Sequence, residues 1–353
     1  MGVLCLKVRR EEAEVAHELL KGMGLLNLAF EPARDGASVF FPLTRRPGPG
    51  ELTAMKGSLS CFEIVEVELR PREARPSLQE LLSRSLPPRL VEEAPRSFDV
   101  IGDIAIVEIQ PELWPYRHEV GSAIMALQKH VRLVLAKGGP VSGPFRLRRL
   151  VPIAGYGPTE TTHREHGCIF KLDVARAYFS PRLSYEHARV AGQARPGELV
   201  VDMFAGVGPF SIIMAKREPS VLAYAIDANP IAFHYLAMNV RANKLRGSVV
   251  PVLSDARRAI QKALRGLADR VIMDLPERAH EFLDAACLAI RPSGGHLHFY
   301  TFAGAPEPEK EAVERLKAGV EAAGRSVEAV LLARKVRPIG PYKWQVAVDA
   351  IIS

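Results

Sequence analysis

The clearest chemical signal in this 353-residue chain is a turn of two glycines set among strand-ending acids. In VVDMFAGVGPF an apolar run ends near Asp202 and turns through Gly206 and Gly208. Pro209 follows, at the first position of a helix, where a missing N–H costs nothing. Glycine at such a turn lets the backbone approach a ligand closely. Any tight strand-to-helix turn can produce GxG, so the loop alone is ambiguous. Asp227 closes the next apolar run, YAID, 25 residues after Asp202, about where a ribose-binding acid sits in nucleotide-binding βαβ folds. Asp255 closes the run after that, VVPVLSD, with Ala256 beside it and placed to bound an adenine. Each acid alone also reads as a helix cap. In succession at this spacing they point to a cofactor that carries a nucleoside.

A dinucleotide loop wants a third glycine in GxGxxG, and Ser211 holds that position. The pattern instead fits the DxFxGxG loop of methyltransferases, with S-adenosyl-L-methionine as the cofactor. The expected cofactor contacts here are Asp202, Phe204, Gly206, Val207, Gly208, Asp227, Ala228, Asp255 and Ala256. A fourth apolar run leads into MDLPERAHEFL, which puts Asp274, Leu275 and Pro276 at the edge where open α/β sheets present reacting groups. Asp-Leu-Pro is a variant of the Asn/Asp-Pro-Pro-aromatic signature of amino-methyltransferases. Asp274 and Pro276 are therefore expected at the cofactor and the target nitrogen, the bland alternative being a turn after a strand. His163, His166 and Cys168 in THREHGC are zinc-ligand types, but a strand would put the two histidines on opposite faces, and no metal site is expected. His296 and His298 share a strand face and are expected to pack or to touch the cofactor layer.

The elements that must position these residues change along the chain. Residues 1–70 read strand, helix, strand, strand, a small α+β unit. Residues 71–90, with Pro71, Pro76, Pro87 and Pro88, read as a basic linker. Residues 91–175 form a second mixed unit. From 176 to 353 apolar strands alternate with longer helices, the βαβ rhythm of a mostly parallel sheet. The four cysteines are far apart with no CxxC pair, which suggests neither disulfides nor a zinc ribbon. No apolar run reaches the roughly 20 residues of a membrane span, and the N-terminus lacks the form of a secretory signal, so a cytoplasmic location is expected. A net charge of +7 fits a polyanionic partner.

DMFAGVGPFSI, YAIDANP, LSDARR and VIMDLPERAHEFLD, with FKLDVARAYFSPRLSYEHARV before them and GGHLHFYTF after, resemble the archaeal and eukaryotic tRNA (guanine-37-N1)-methyltransferases. The likeness runs from about Phe145 to the end and more loosely takes in the N-terminal unit. It implies a Rossmann-like class I methyltransferase domain preceded by two smaller α+β domains, acting as a monomer on tRNA. It also implies methyl transfer to N1 of guanine 37, with Glu186 as general base and Arg146 stabilising O6. Arg148, Tyr178 and Pro181 would line the substrate pocket, and Arg182 and His187 would lie near the cofactor. His187 stands where the family often has arginine, and Asp274 where asparagine is more usual.

Phosphate contacts would come from Arg72, Arg75, Arg84 and Arg89, from residues 146–149, and from ARKVRPIGPYKWQ near the C-terminus; each also reads as a solvated basic surface. The resemblance further implies that the N-terminal unit touches the outer corner of the tRNA. Two other readings stay open: a wybutosine-pathway methyl or aminocarboxypropyl transferase, and a catalytically idle RNA-binding protein.

Overall fold

The computed structural model describes residues 2–72, 76–143, 145 and 147–353; the side chains of residues 140–142 also lie outside the description. The chain divides into two compact units, Met1–Pro76 and Ser77–Ser353.

In the first unit the strands Ala33–Asp35, Ser38–Pro42, Val3–Arg9 and Phe62–Val67 form an antiparallel sheet in that order. Leu6, Val8 and Phe41 pack with Leu20 of the helix Ala13–Gly22. A second helix, Pro49–Ser58, was not expected from GPGELTAMKGS. It forms because proline is tolerated at its first position and the Glu51 carboxylate takes the Gly48 N–H at 2.7 Å. Met55 then anchors it in the core.

The second unit corrects the expected linker. Leu78–Leu82 and Pro88–Glu92 are short helices, and Leu78, Leu82 and Leu86 are buried against Leu113, Val120 and Ile124. Here the punctuating residues begin helices. Ser77 accepts from the Glu80 N–H at 3.1 Å while Glu80 accepts from the Ser77 N–H at 2.6 Å, and Pro88 takes a first helical position. A four-stranded sheet follows, in the order Phe98–Ile101, Ile104–Val107, Leu133–Ser142, Leu147–Gly155, with the helix Arg117–Leu127 packed on it. Glu160–Glu165 and Cys168–Asp173 then pair as a hairpin whose two turn residues, His166 and Gly167, both have positive φ.

The largest sheet has seven strands, ordered Ser248–Leu253, Leu222–Asp227, Leu199–Asp202, Arg270–Met273, Gly295–Gly304, Lys343–Ile352 and Val327–Gly340. The first five are parallel, as the βαβ rhythm predicts, and the last two join them antiparallel. The chain leaves Leu199–Asp202 toward one side and returns through Arg270–Met273 on the other. That reversal opens a crevice at the carboxyl ends of the strands, where Asp202, Asp227 and Asp274 gather. The C-terminal basic run forms the long final hairpin, a pairing its interleaved arginines and proline disguise. No helix among the described residues is long and apolar enough to cross a membrane.

Candidate functional site

The glycine loop is tied down from both sides. Asp202 is fully buried at the end of its strand and accepts the Ser211 hydroxyl at 2.7 Å; its Oδ1 is buried with no hydrogen-bond partner. Burial, reinforced by the nearby Asp274 and Asp227 charges, pushes its carboxyl up to about 7. Ser211 is thus more than an absent glycine, because it holds the strand-ending acid from the first turn of the helix Pro209–Arg217. Asp227 accepts the Gly206 N–H at 2.7 Å and the Asn229 N–H at 2.8 Å, and burial raises its pKa. Gly208 has φ +97°, and a Cβ there would lie 2.5 Å from Leu236 Cδ1 and 2.8 Å from Ile212 Cδ1. Only glycine fits that turn. Asp255 caps the helix Ala256–Ala259 by accepting the Arg258 N–H at 3.1 Å, so the capping reading holds for it.

Beside the loop lies a cavity of about 1080 Å³. That is the upper end of the roughly 300–1,000 Å³ usual for small-molecule sites, room for a cofactor together with a nucleobase. Phe204, Gly206, Asp227, Ala228, Asp255 and Ala256 line one part of it. Asp274, Leu275 and Pro276 also line it, as do Arg148, Tyr178, Arg182 and Arg337. Asp202, Val207, Gly208 and Pro181 are not among its walls; the first three support the loop from within. The Arg182 guanidinium is held by Asp99 at 2.5 Å, and Arg148 lies 3.9 Å from Glu108. The residue set suits S-adenosylmethionine: Asp227 and Asp255 supply acceptors for hydroxyl or amino groups, and at Gly206 the nearest atom to an added Cβ, the Tyr178 carbonyl, is 3.6 Å away.

Two expected contacts sit elsewhere. His187 is 2 % exposed, shares a 2.6 Å hydrogen bond with Glu165 and packs edge-on against Phe210 at 4.7 Å. It faces the hairpin and not the cavity, because the helix Ser184–Ala191 turns that position inward. Burial works against the Glu165 charge, but His163 and His187 outweigh it and bring its carboxyl to about 2. Glu186 is 1 % exposed and is likewise not among the residues that line the cavity. Its Oε2 accepts from Arg189 at 2.9 and 3.0 Å and from the Tyr300 hydroxyl at 2.8 Å. Its Oε1 lies 3.4 Å from an Arg334 nitrogen and makes no hydrogen bond.

Behind Glu186 runs a buried polar chain that sequence reasoning missed. Arg189 also donates to Asp349, which accepts from Gln193 at 3.0 Å and contacts His298 Nδ1 at 2.8 Å. His298 Nε2 meets the Arg270 guanidinium at 2.7 Å, and Arg270 forks onto Glu198 at 2.8 and 2.9 Å. Arginine only donates, so His298 Nε2 accepts and its proton sits on Nδ1 toward Asp349. Burial lowers the His298 pKa, which keeps the ring neutral at pH 7. Burial opposes the Asp349 charge, yet His298 and Arg189 hold its carboxyl well below the usual range. Burial and the Glu186 charge push the Tyr300 phenol up, so it remains a donor.

Of the remaining candidates, His166 occupies the hairpin turn and Cys168 is buried; no metal-holding group of acids, histidines and cysteines exists among the described residues. Arg72, Arg84, Arg89 and Arg149 are exposed. Arg75 and Arg146 lie outside the described residues.

Residues 161–328 match the TRM5/TYW2 methyltransferase domain, and residues 78–159 match the TYW2 N-terminal domain. The chain is 41 % identical over 351 residues to the tRNA (guanine(37)-N(1))-methyltransferase Trm5b of Pyrococcus abyssi, covering 99 % of each protein. A crystal structure of Trm5b from that organism superposes with a TM-score of 0.71 at 39 % identity, covering 99 % of both chains. A complex of aTrm5 with tRNALeu gives a TM-score of 0.68 at 32 % identity, covering 99 % of this chain and 100 % of that one.

Proposed function

Within the TRM5/TYW2 family, to which this chain belongs as an S-adenosylmethionine-dependent tRNA-modifying enzyme, we propose that it methylates N1 of guanine 37, beside the anticodon. The observation that carries this reading is the continuous cavity. It joins the glycine-loop acids Asp227 and Asp255 to Asp274, Tyr178 and Arg148, in a chain similar end to end to a guanine-37 enzyme.

The cofactor, when bound, supplies a methyl group made electrophilic by its sulfonium. Asp227 and Asp255 hold its nucleoside and Gly206 lets it lie against the loop. Guanine 37 must leave the stacked anticodon loop to reach the cavity, and the exposed ring of Tyr178 offers it a face. Asp274 accepts from the guanine exocyclic amino group. N1 becomes nucleophilic when its proton leaves, and Glu186 receives that proton on Oε1, the oxygen without a hydrogen bond. Arg189 and Tyr300 retain the other oxygen and fix the carboxylate. Glu186 is buried and does not line the cavity, so this reading includes a shift of the helix Ser184–Ala191 when tRNA binds. Arg146 is assigned to O6 by resemblance.

Incubation with labelled cofactor and tRNA transcripts bearing G or A at position 37, followed by nucleoside mass spectrometry, tests the reaction. 1-Methylguanosine from the G transcript alone is the expected product, and a wybutosine-type product or none would overturn it. Glu186→Gln should lower single-turnover methylation by about 10²- to 10⁴-fold with cofactor binding by calorimetry preserved. An unchanged rate would remove Glu186 from the role of base.

A further inference from the structure

Across the carboxyl edge of the large sheet, three side chains from three strands or strand ends form a row that the proposed reaction leaves unused in part. Gln345 is 1 % exposed and pairs across the strands with Arg337 on one side and Phe302 on the other. Its Oε1 accepts from Arg337 Nε at 2.8 Å, and its Nε2 points at Asp274 Oδ1 at 3.4 Å. The amide therefore links a donor to an acceptor, both lining the cavity. Arg337 is further fixed by the Ser180 hydroxyl at 3.4 Å and the Tyr178 hydroxyl at 3.2 Å. Three uncharged oxygens thus orient the guanidinium while consuming only part of its five N–H groups.

We infer that Arg337, set by Gln345, reads the O6 edge of guanine 37 while Asp274 reads its exocyclic amino group, leaving N1–H to the base. This deepens the guanine-37 reading and rests on it. Guanine presents its amino donor at one end of its Watson–Crick edge and the O6 acceptor at the other, and a carboxylate beside a guanidinium matches those two ends. Adenine has no amino group at C2 and a donor at N6, which would leave Asp274 without a donor and Arg337 facing an N–H. A site built to pair polar groups rejects a ligand that leaves them unpaired. O6 has two lone pairs, so a second donor such as Arg146 can share it. A phosphate contact would not need the guanidinium tied to the acid by one buried amide.

The test compares transcripts with guanosine or 6-thioguanosine at position 37, the sulfur being a poor acceptor in place of O6. Wild type should lose about tenfold in kcat/KM on the thio substrate, one charged hydrogen bond. Arg337→Ala should lose about 10- to 100-fold on the guanosine transcript and show a clearly smaller thio penalty than wild type, with cofactor affinity unchanged. Gln345→Leu should shrink the thio penalty as well, a result that mere loss of packing would not give. Two results would overturn the assignment. One is a thio penalty as large in Arg337→Ala as in wild type. The other is a loss confined to tRNA affinity with a shallower salt dependence, the mark of a phosphate contact. If wild type makes no 1-methylguanosine from the guanosine transcript, the parent reading fails and takes this one with it.

Discussion

Arg189 is the residue whose removal most directly tests the buried polar chain. It is 12 % exposed and donates to two carboxylates, Glu186 and Asp349, which are 1 % and 4 % exposed. Arg189→Met keeps most of the side-chain volume and removes the charge. Breaking a buried pair from one side costs about 3–5 kcal/mol, because an uncompensated charge stays behind. Here two acids are left, but each keeps partners: Tyr300 and Arg334 for Glu186, His298 and Gln193 for Asp349. We therefore expect about 4 kcal/mol, measured by urea unfolding near pH 7.5. The dependence on pH is the sharper part. The Asp349 pKa is depressed in the fold, so its contribution is present above the unfolded carboxylate value near 4 and is lost as pH falls through the folded value. The variant gives up much of that contribution. The gap between the two proteins should be widest above about pH 5 and narrow below about pH 4. A gap under about 1 kcal/mol at neutral pH, or one that stays constant into acid, would show that Arg189 contributes packing and not charge.

What could be read in the sequence was whatever chemistry is local. The apolar strand, the two glycines and Pro209 lie within a dozen residues, and their geometry follows from residue type alone. The acids at the ends of successive strands were legible because βαβ spacing is regular. The buried chain was not, since its key bonds join residues 51 to 160 positions apart: His298 to Asp349, Arg270 to Glu198, Arg189 to Asp349. Nothing in the sequence around Arg270 separates a buried arginine from a solvated one. The signal that did exist was the strand alternation of His296 and His298, which placed His298 on a face but could not say what faced it. Prolines misled in the opposite direction. Pro87 and Pro88 read as breakers, while the leucines at 78, 82 and 86 carried the helical spacing that buries them. His187 and Glu186 are neighbours on one helix, and the resemblance assigned both to the site; the structure turns both inward, toward Glu165 and Tyr300.

The loop glycines should separate by cost. Gly208→Ala meets both a φ of +97° and a Cβ 2.5 Å from Leu236, so thermal or chemical unfolding should show a loss of about 2–5 kcal/mol. Gly206→Ala, at φ +56° with open space beside it, should lose about 1–2 kcal/mol and act mainly on cofactor binding, as calorimetry would show. Equal losses in the two variants would mean the loop conformation is wrong. Asp202 gives the opposite pH trend to Asp349. Its folded pKa of about 7 lies above the unfolded 3.8, so the native state binds the extra proton. The contribution is fully present below about pH 4 and disappears as pH rises through about 7. A shift of that size corresponds to about 4 kcal/mol as an upper bound. Asp202→Asn cannot ionise and still offers Ser211 an acceptor, so the cofactor-free variant should match wild type near pH 4 and exceed it increasingly as pH rises, most in urea unfolding at pH 8.5. An identical pH profile in the two proteins would place a charged Asp202 in the resting fold, and the raised pKa would then have to be abandoned along with the idea that the glycine loop is built around a protonated acid.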